Sequence, residues 1–277
     1  MNHDASPRSV CRSALIQSLH RLAPQVPLSA KGYVAEPSQN LIEGVFLSDF
    51  EEDLRQGDGN ELERKFLAAH SSSALVVNTF GPFKRKPGAL PLPPRADFSI
   101  LGFEKKCPHG LAGRKSPNLD LLVDSPYGVV AIESKCLEYL SRHKAAFAPA
   151  YDAEIRDGRR DTSWFREMER LIDEPRRYHW LDAAQLVKHA FGIAHTFPGR
   201  QTTLMYLYWE PTNPDKYPIF AEHRAEVARF SASTEGAPPH FVALSYAELW
   251  ESWDALNEPE WLTTHVGRLR TRYMLQV

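Results

Sequence analysis

Two apolar segments separated by four turn-forming residues constrain this chain most. Asn118-Leu-Asp-Leu-Leu-Val-Asp124 is followed by Ser125-Pro-Tyr-Gly128 and then by Val129-Val-Ala-Ile-Glu-Ser-Lys-Cys136. Aliphatic and β-branched runs bounded by Ser, Pro and Gly read as the strands of a hairpin. With Asp124 opposite Val129 across the turn, the register puts Asp120 opposite Glu133. Directly opposed residues have Cβ atoms about 4.5 to 5.5 Å apart, and like charges there destabilise a sheet. A compensating charge is needed. A divalent cation is the simplest candidate, because Mg²⁺ is held by one or two carboxylates and otherwise by water and phosphate oxygens. The two-residue period also places Lys135 on the face of Glu133 and turns Ser134 away.

Glu-x-Lys by itself is a weak pattern, and it occurs here at Glu63-Arg-Lys65, Glu104-Lys-Lys106 and Glu133-Ser-Lys135. The first falls in an expected helix, where residues two apart do not share a face. The second is flanked by charge and Pro, with no apolar strand expected to carry it. Only the third ends an apolar strand paired with another that bears an acid. The plain alternative is a salt-bridged strand end with Asp120 as a surface acid. Against it stands the cost of setting an acid and a lysine on otherwise apolar strands.

Pro117-Asn-Leu-Asp120 followed, after twelve intervening residues, by Glu133-Ser-Lys135 resembles the PD-(D/E)xK nuclease superfamily. Gly59-Asn-Glu61-Leu leading into a helix, then His70-Ser-Ser, Ala74-Leu and Asn78-Thr-Phe80, is similar to the acidic helix and first core strand of some members. Gln185-Leu-Val-Lys188-His189 falls where the helix after the active-site strand often supplies a polar residue. The resemblance covers about residues 59 to 210; Asn118 within the Asp motif and a long insertion after Cys136 depart from it. It implies an α/β protein with a restriction-endonuclease-like mixed central sheet flanked by helices, acting on nucleic acid, most simply as a DNA endonuclease. It further implies Mg²⁺, with Mn²⁺ as a substitute, held by Asp120, Glu133, the Ser134 carbonyl and Glu61. Lys135 would orient the attacking water and contact the phosphate, and Gln185 and Lys188 would position substrate. Glu63 is the substitute for Glu61, and Glu138 is a more distant candidate. Helix N-termini favour acids in any case, which is the ordinary account of Glu61.

Elsewhere the periodicity predicts an outer amphipathic helix over Ser9 to Leu22, a helix from about Ser48, and a second over Glu61 to His70 capped by Asn60. Strands are expected at Ala74 to Phe80, Phe98 to Phe103, Thr202 to Trp209 and His240 to Leu244. Further helices are expected at Leu181 to Phe197, Ala221 to Phe230, Tyr246 to Trp253 and Glu258 to Arg270. Residues 1–58 read as an N-terminal helical extension and 59–277 as the nuclease-like domain. The polar, Arg-rich stretch at about 141–177 reads as an insertion or lid, with one helical piece near Trp164 to Ile172.

Several classes are disfavoured. A net charge of −2 lacks the footprint of a protein that coats nucleic acid by bulk charge, although clusters such as Lys84-Arg85-Lys86 and Arg268/Arg270/Arg272 leave room for a local groove. Three scattered cysteines make no disulfide framework, and Cys107-Pro-His109 has no second half for a zinc site. Gly110 to Ser116 is only superficially similar to a phosphate-binding loop, since Arg114 interrupts the pattern. No secretory signal is evident, and the uncharged stretch Phe66 to Phe83 is too polar to span a bilayer, so no membrane role is expected and the cytoplasm is the expected location. Cutting both strands of a duplex usually needs two sites, which makes a homodimer the arrangement to test. The rival from another class is a non-catalytic nucleic-acid-binding or regulatory protein of the same fold, separable by its indifference to EDTA.

Overall fold

The computed structural model describes residues 6–56, 61–92, 97–110, 117–151, 162–256 and 259–277. Its centre is a five-stranded sheet in the order β1 (Ile100–Lys106), β2 (Asn118–Ser125), β3 (Gly128–Lys135), β4 (Thr202–Tyr208), β5 (His240–Ser245). β1, β2 and β3 are antiparallel neighbours, while β3, β4 and β5 run parallel. The hairpin forms as expected, with Asp124 opposite Val129. Its turn is closed by Ser125, whose Oγ accepts the N–H groups of Tyr127 at 3.2 Å and Gly128 at 3.1 Å. The architecture is the mixed α/β one, a mixed sheet flanked by helices.

The helices are α1 (Pro7–Leu22), α2 (Glu51–Gln56), α3 (Ser72–Phe80), α4 (Ser163–Asp173), α5 (Ala183–Thr196), α6 (Pro218–Thr234), α7 (Tyr246–Asp254) and α8 (Glu260–Tyr273). They take opposite sides of the sheet. Tyr206 is the register partner of Glu133 and bonds His223 of α6 at 3.0 Å, so α6 lies on the Glu133 face. Tyr246 of α7 and the Ser72 carbonyl of α3 meet Ser134 Oγ at 2.6 and 3.4 Å on the other. α5 begins at Asp182, whose carboxylate accepts the Gln185 N–H at 3.1 Å. The helix passes close to the end of β1: a Cβ at Gly192 would sit 2.4 Å from the Cys107 carbonyl oxygen, so only glycine permits the approach.

The structure corrects several expectations. Ala74 to Phe80 is not a strand; it is α3, capped by Ser71 Oγ on the Ala74 N–H at 3.1 Å and buried along almost its whole length. A short helix buried on all sides has no polar stripe, so its residues read like a central strand. The helix expected over Glu61 to His70 is a single π-helical turn, Glu61–Lys65, after which Ala68 bridges to Tyr33; Asn60 lies outside the described residues. The N-terminal helix is amphipathic and outer-facing as expected, with Cys11 and Leu15 of α1 reaching into the main core while most of its other residues stay partly or fully exposed. Part of the 141–177 stretch is core: Trp164, Phe165, Met168 and Leu171 of α4 are buried there. Polar residues around these four hid them, and Glu167 is itself buried, accepting from the Tyr178 hydroxyl at 2.8 Å.

Candidate active site

The β2–β3 ladder ends one pair short of the expected juxtaposition. Its last partners are Leu121 and Ile132. Beyond them Asp120 Oδ2 accepts the Ser134 N–H at 2.6 Å, so Asp120 and Glu133 are neighbours without being a paired rung. The strand alternation still sets both carboxylates on one face. Burial first, then Glu133 and Glu104, push the Asp120 carboxyl well above the usual carboxylate range.

Glu133 is 2% exposed and held from both sides. Lys135 Nζ donates to Oε1 at 2.5 Å, and His189 Nε2 lies 2.9 Å from Oε2. The His189 contact has ion-pair distance without the alignment of a hydrogen bond, so Oε2 and Nε2 each lack an aligned partner. Burial alone would raise the Glu133 carboxyl, but Lys135 and His189 outweigh it and hold it at about 2. Lys135 resists the downward pull of its own burial because Glu133 and Asp120 raise its ammonium above the ordinary value. Its second bond runs to Gln185 Oε1 at 2.8 Å. Asp120, Lys135 and Gln185 are partly open to solvent, whereas Glu133 and His189 are shut in. One side of the cluster thus faces outward and the other anchors it.

The remaining candidates divide. Glu61 begins the π-helical turn, and its side chain lies outside the described residues. Glu63 lines a separate cavity with Glu51, Leu54 and Arg55. Ser134 sends its hydroxyl to Tyr246 on the opposite face. Lys188 sets its ammonium over the Phe147 ring, 5.3 Å from the centroid, and burial lowers its pKa. Glu138 accepts the N–H groups of Cys136 at 2.7 Å and Leu137 at 3.0 Å and so closes the turn after β3.

Two participants escaped the sequence reading. Glu104 lies on β1 after all, 8% exposed, at the position between the Phe103–Leu121 and Lys105–Leu119 pairs that faces Asp120. It has φ +49, a left-handed conformation uncommon outside glycine, and accepts from Asn118 Nδ2 at 3.0 Å. The signal was the expected strand at Phe98 to Phe103, which needed extending by three residues. His189 follows Gln185 by one helical turn, a spacing that puts both on one face.

Two carboxylates with no thiolate suit Mg²⁺ or Mn²⁺ in preference to zinc. The buried, unaligned Glu133 oxygen and the unfavourable charge on Asp120 fit a cation between them. Among the described residues no group of three or more His, Cys, Asp or Glu is arranged to hold a metal. No helix among the described residues is long and apolar enough to cross a membrane.

Comparison with curated proteins and with solved structures returned no match for this chain. Residues 16–274, nearly the whole sequence, match a family described as restriction endonuclease associating with ARP. The chain therefore belongs to this restriction-endonuclease-like family, REase-ARP.

Proposed function

We propose that this protein is a PD-(D/E)xK nuclease that hydrolyses phosphodiester bonds in DNA with Mg²⁺, or with Mn²⁺ in its place. The observation that carries the reading is the convergence of Asp120, Glu133, Lys135 and Gln185 on one face where the β2–β3 ladder ends. Asp120 and Glu133 would hold the cation, with the Ser134 carbonyl and Glu61 as further ligands. Bound there, it supplies charge neutralisation at the phosphoryl oxygens and makes the attacking water more acidic. Lys135 orients that water and binds a phosphate oxygen, a task suited to its compact point charge. Gln185 fixes the ammonium, and His189 fixes the carboxylate that Lys135 shares. Two copies acting on one duplex would cut both strands, and light scattering with bound duplex measures whether two are present.

A second reading, a binding or regulatory subunit without catalysis, draws on one observation. Both Glu133 oxygens are already engaged, Oε1 by the Lys135 ammonium and Oε2 by the His189 ring at 2.9 Å, so metal must compete for them. The description of the family as associating with ARP also suits a role beside a second protein. The experiment is cleavage of supercoiled plasmid and single-stranded DNA in Mg²⁺, Mn²⁺ or EDTA by wild type, Asp120→Ala and Lys135→Ala. Metal-dependent cutting lost in both variants is expected. Equal DNA binding by all three with no cutting in any metal would put the binding subunit first.

A further inference from the structure

The segment 141–150 follows the turn after β3 that Glu138 closes. It carries Arg142, His143 and Lys144 and no acid. Backbone bonds fix its course, from the His143 N–H to the His179 carbonyl at 2.7 Å and from the Ala145 N–H to the Pro175 carbonyl at 2.8 Å. Exposure alternates along it as in a strand: Arg142, Lys144 and Ala146 face out, while His143, Ala145 and Phe147 are half-buried. The inward side follows the start of α5. His143 Nδ1 lies 3.6 Å from Asp182 Oδ2, and the Phe147 ring lies under the Lys188 ammonium, 5.3 Å from the centroid. Asp182, Gln185 and Lys188 recur every three residues and share one side of the helix, the side on which Gln185 meets Lys135 at 2.8 Å. The segment therefore runs alongside the candidate active site.

Four cations on this ridge have no acid within ion-pair distance among the described residues. Arg8 of α1 donates to the Ser141 hydroxyl, Arg142 lies over the Trp180 ring at 5.6 Å, Lys144 is exposed, and Lys188 sits over Phe147. The basic clusters that stand out in the sequence are engaged within the protein instead. Lys84 and Arg85 pair with Asp53 and Asp49, and Arg268 and Arg270 with Glu43 and Asp254. Arg272 is buried and donates to the Leu15 and Ala69 carbonyls. A cation already paired must give up its acid to meet a phosphate; an unpaired one neutralises the phosphate and releases DNA counterions directly. A chain of net charge −2 thus carries its unpaired positive charge on a rim of the candidate site.

We propose that Arg8, Arg142, Lys144 and Lys188 form the surface that binds the backbone phosphates flanking the one at Lys135. The proposal rests on the nuclease reading and deepens it by naming the contacts that hold the nucleic acid strand. Contacts of this kind position a strand and carry no sequence information, so the surface binds DNA of any sequence alike.

The test is fluorescence anisotropy of two labelled duplexes of unrelated sequence with the full chain in EDTA, from about 50 to 200 mM salt. Arg142→Gln, Lys144→Gln and Lys188→Gln should each weaken binding alike for both duplexes. Each should also lower the slope of log K against log salt by about 0.9, the value of one phosphate contact. Arg85→Gln and Arg268→Gln, which remove paired cations, should leave the slope unchanged. Circular dichroism identifies an unfolded variant, and the exposed Lys144 serves if Lys188→Gln fails to fold. A merely structural role for Lys188 would move Tm and not the slope. No binding by wild type, unchanged slopes in the folded variants, or slopes lowered as much by Arg85→Gln and Arg268→Gln would each overturn the surface. Metal-dependent cutting at the wild-type rate by the ridge variants would then leave the nuclease reading standing. Lowered slopes with no cutting in any metal keep the surface and remove the nuclease reading.

Discussion

Asp120 Oδ2 accepts the Ser134 N–H at 2.6 Å at the point where the β2–β3 ladder ends. The carboxylate thereby occupies an amide that the next rung would have used. This bond holds Asp120 beside Glu133 against their mutual repulsion, and the strand end keeps two acids together that a regular ladder would disfavour.

Asp120→Asn should separate stability from metal binding. Asparagine keeps an acceptor for Ser134 and removes a charge that burial, Glu133 and Glu104 disfavour. The Asp120 carboxyl is raised above its ordinary 3.8, so the native state binds this proton more tightly than the unfolded chain. Its contribution is full below about pH 4 and is lost as pH rises through the folded value. In EDTA at pH 8 the variant should be more stable than wild type, with the gap closing toward pH 4. Millimolar Mg²⁺ should raise the wild-type Tm and leave the variant unmoved. Equal Tm shifts in both proteins would remove Asp120 from the metal site.

Lys135→Met in EDTA should cost about 3 kcal/mol, because Glu133 then loses the ammonium that is its ion-pair partner inside the protein. The double variant Glu133→Gln/Lys135→Met should cost clearly less than the two single changes together. Urea denaturation of the four proteins measures the coupling. Additive costs would mean the pair does not organise this corner of the sheet.

Glu210 gives the fold a second pH dependence. Its carboxyl rises from 4.5 to about 7 through burial, opposed by Arg224. The stability this group contributes is present below about pH 4.5 and is lost as pH rises through 7. Glu210→Gln should therefore gain on wild type between pH 5 and pH 8, by on the order of 2 kcal/mol at the upper end. Parallel stability curves over that interval would show an ordinary carboxylate at this position.

Asn78 tests α3 as a helix. Its Oδ1 accepts the Ile42 N–H at 2.9 Å, and its Nδ2 donates to the Asn40 carbonyl at 2.9 Å and the Tyr273 hydroxyl at 2.8 Å. Asn78→Leu, close in volume, leaves three buried polar groups open on two other segments and should cost about 3 kcal/mol. A loss under about 0.5 kcal/mol, the usual range for surface changes, would contradict this wiring.

The sequence alone determined the hairpin and which side chains share its faces. Alternating and apolar residues around Ser125-Pro-Tyr-Gly128 set the turn, the turn set the register as far as Leu121 and Ile132, and strand period then joined Glu133 with Lys135. These relationships are local, reaching over fewer than twenty residues. Helix periodicity likewise placed Gln185, which Lys135 meets at 2.8 Å. The tertiary structure decided what depends on burial and distant neighbours. Ala74 to Phe80 is helical because every side is covered, which erases the stripe that marks a helix in sequence. Glu104 reaches Asp120 only once β1 pairs with β2, and His189 becomes a partner of Glu133 only when α5 crosses the sheet with Gly192 against Cys107. Spacing carries what neighbours along the chain do to each other; which charges share a buried face follows from how the layers close.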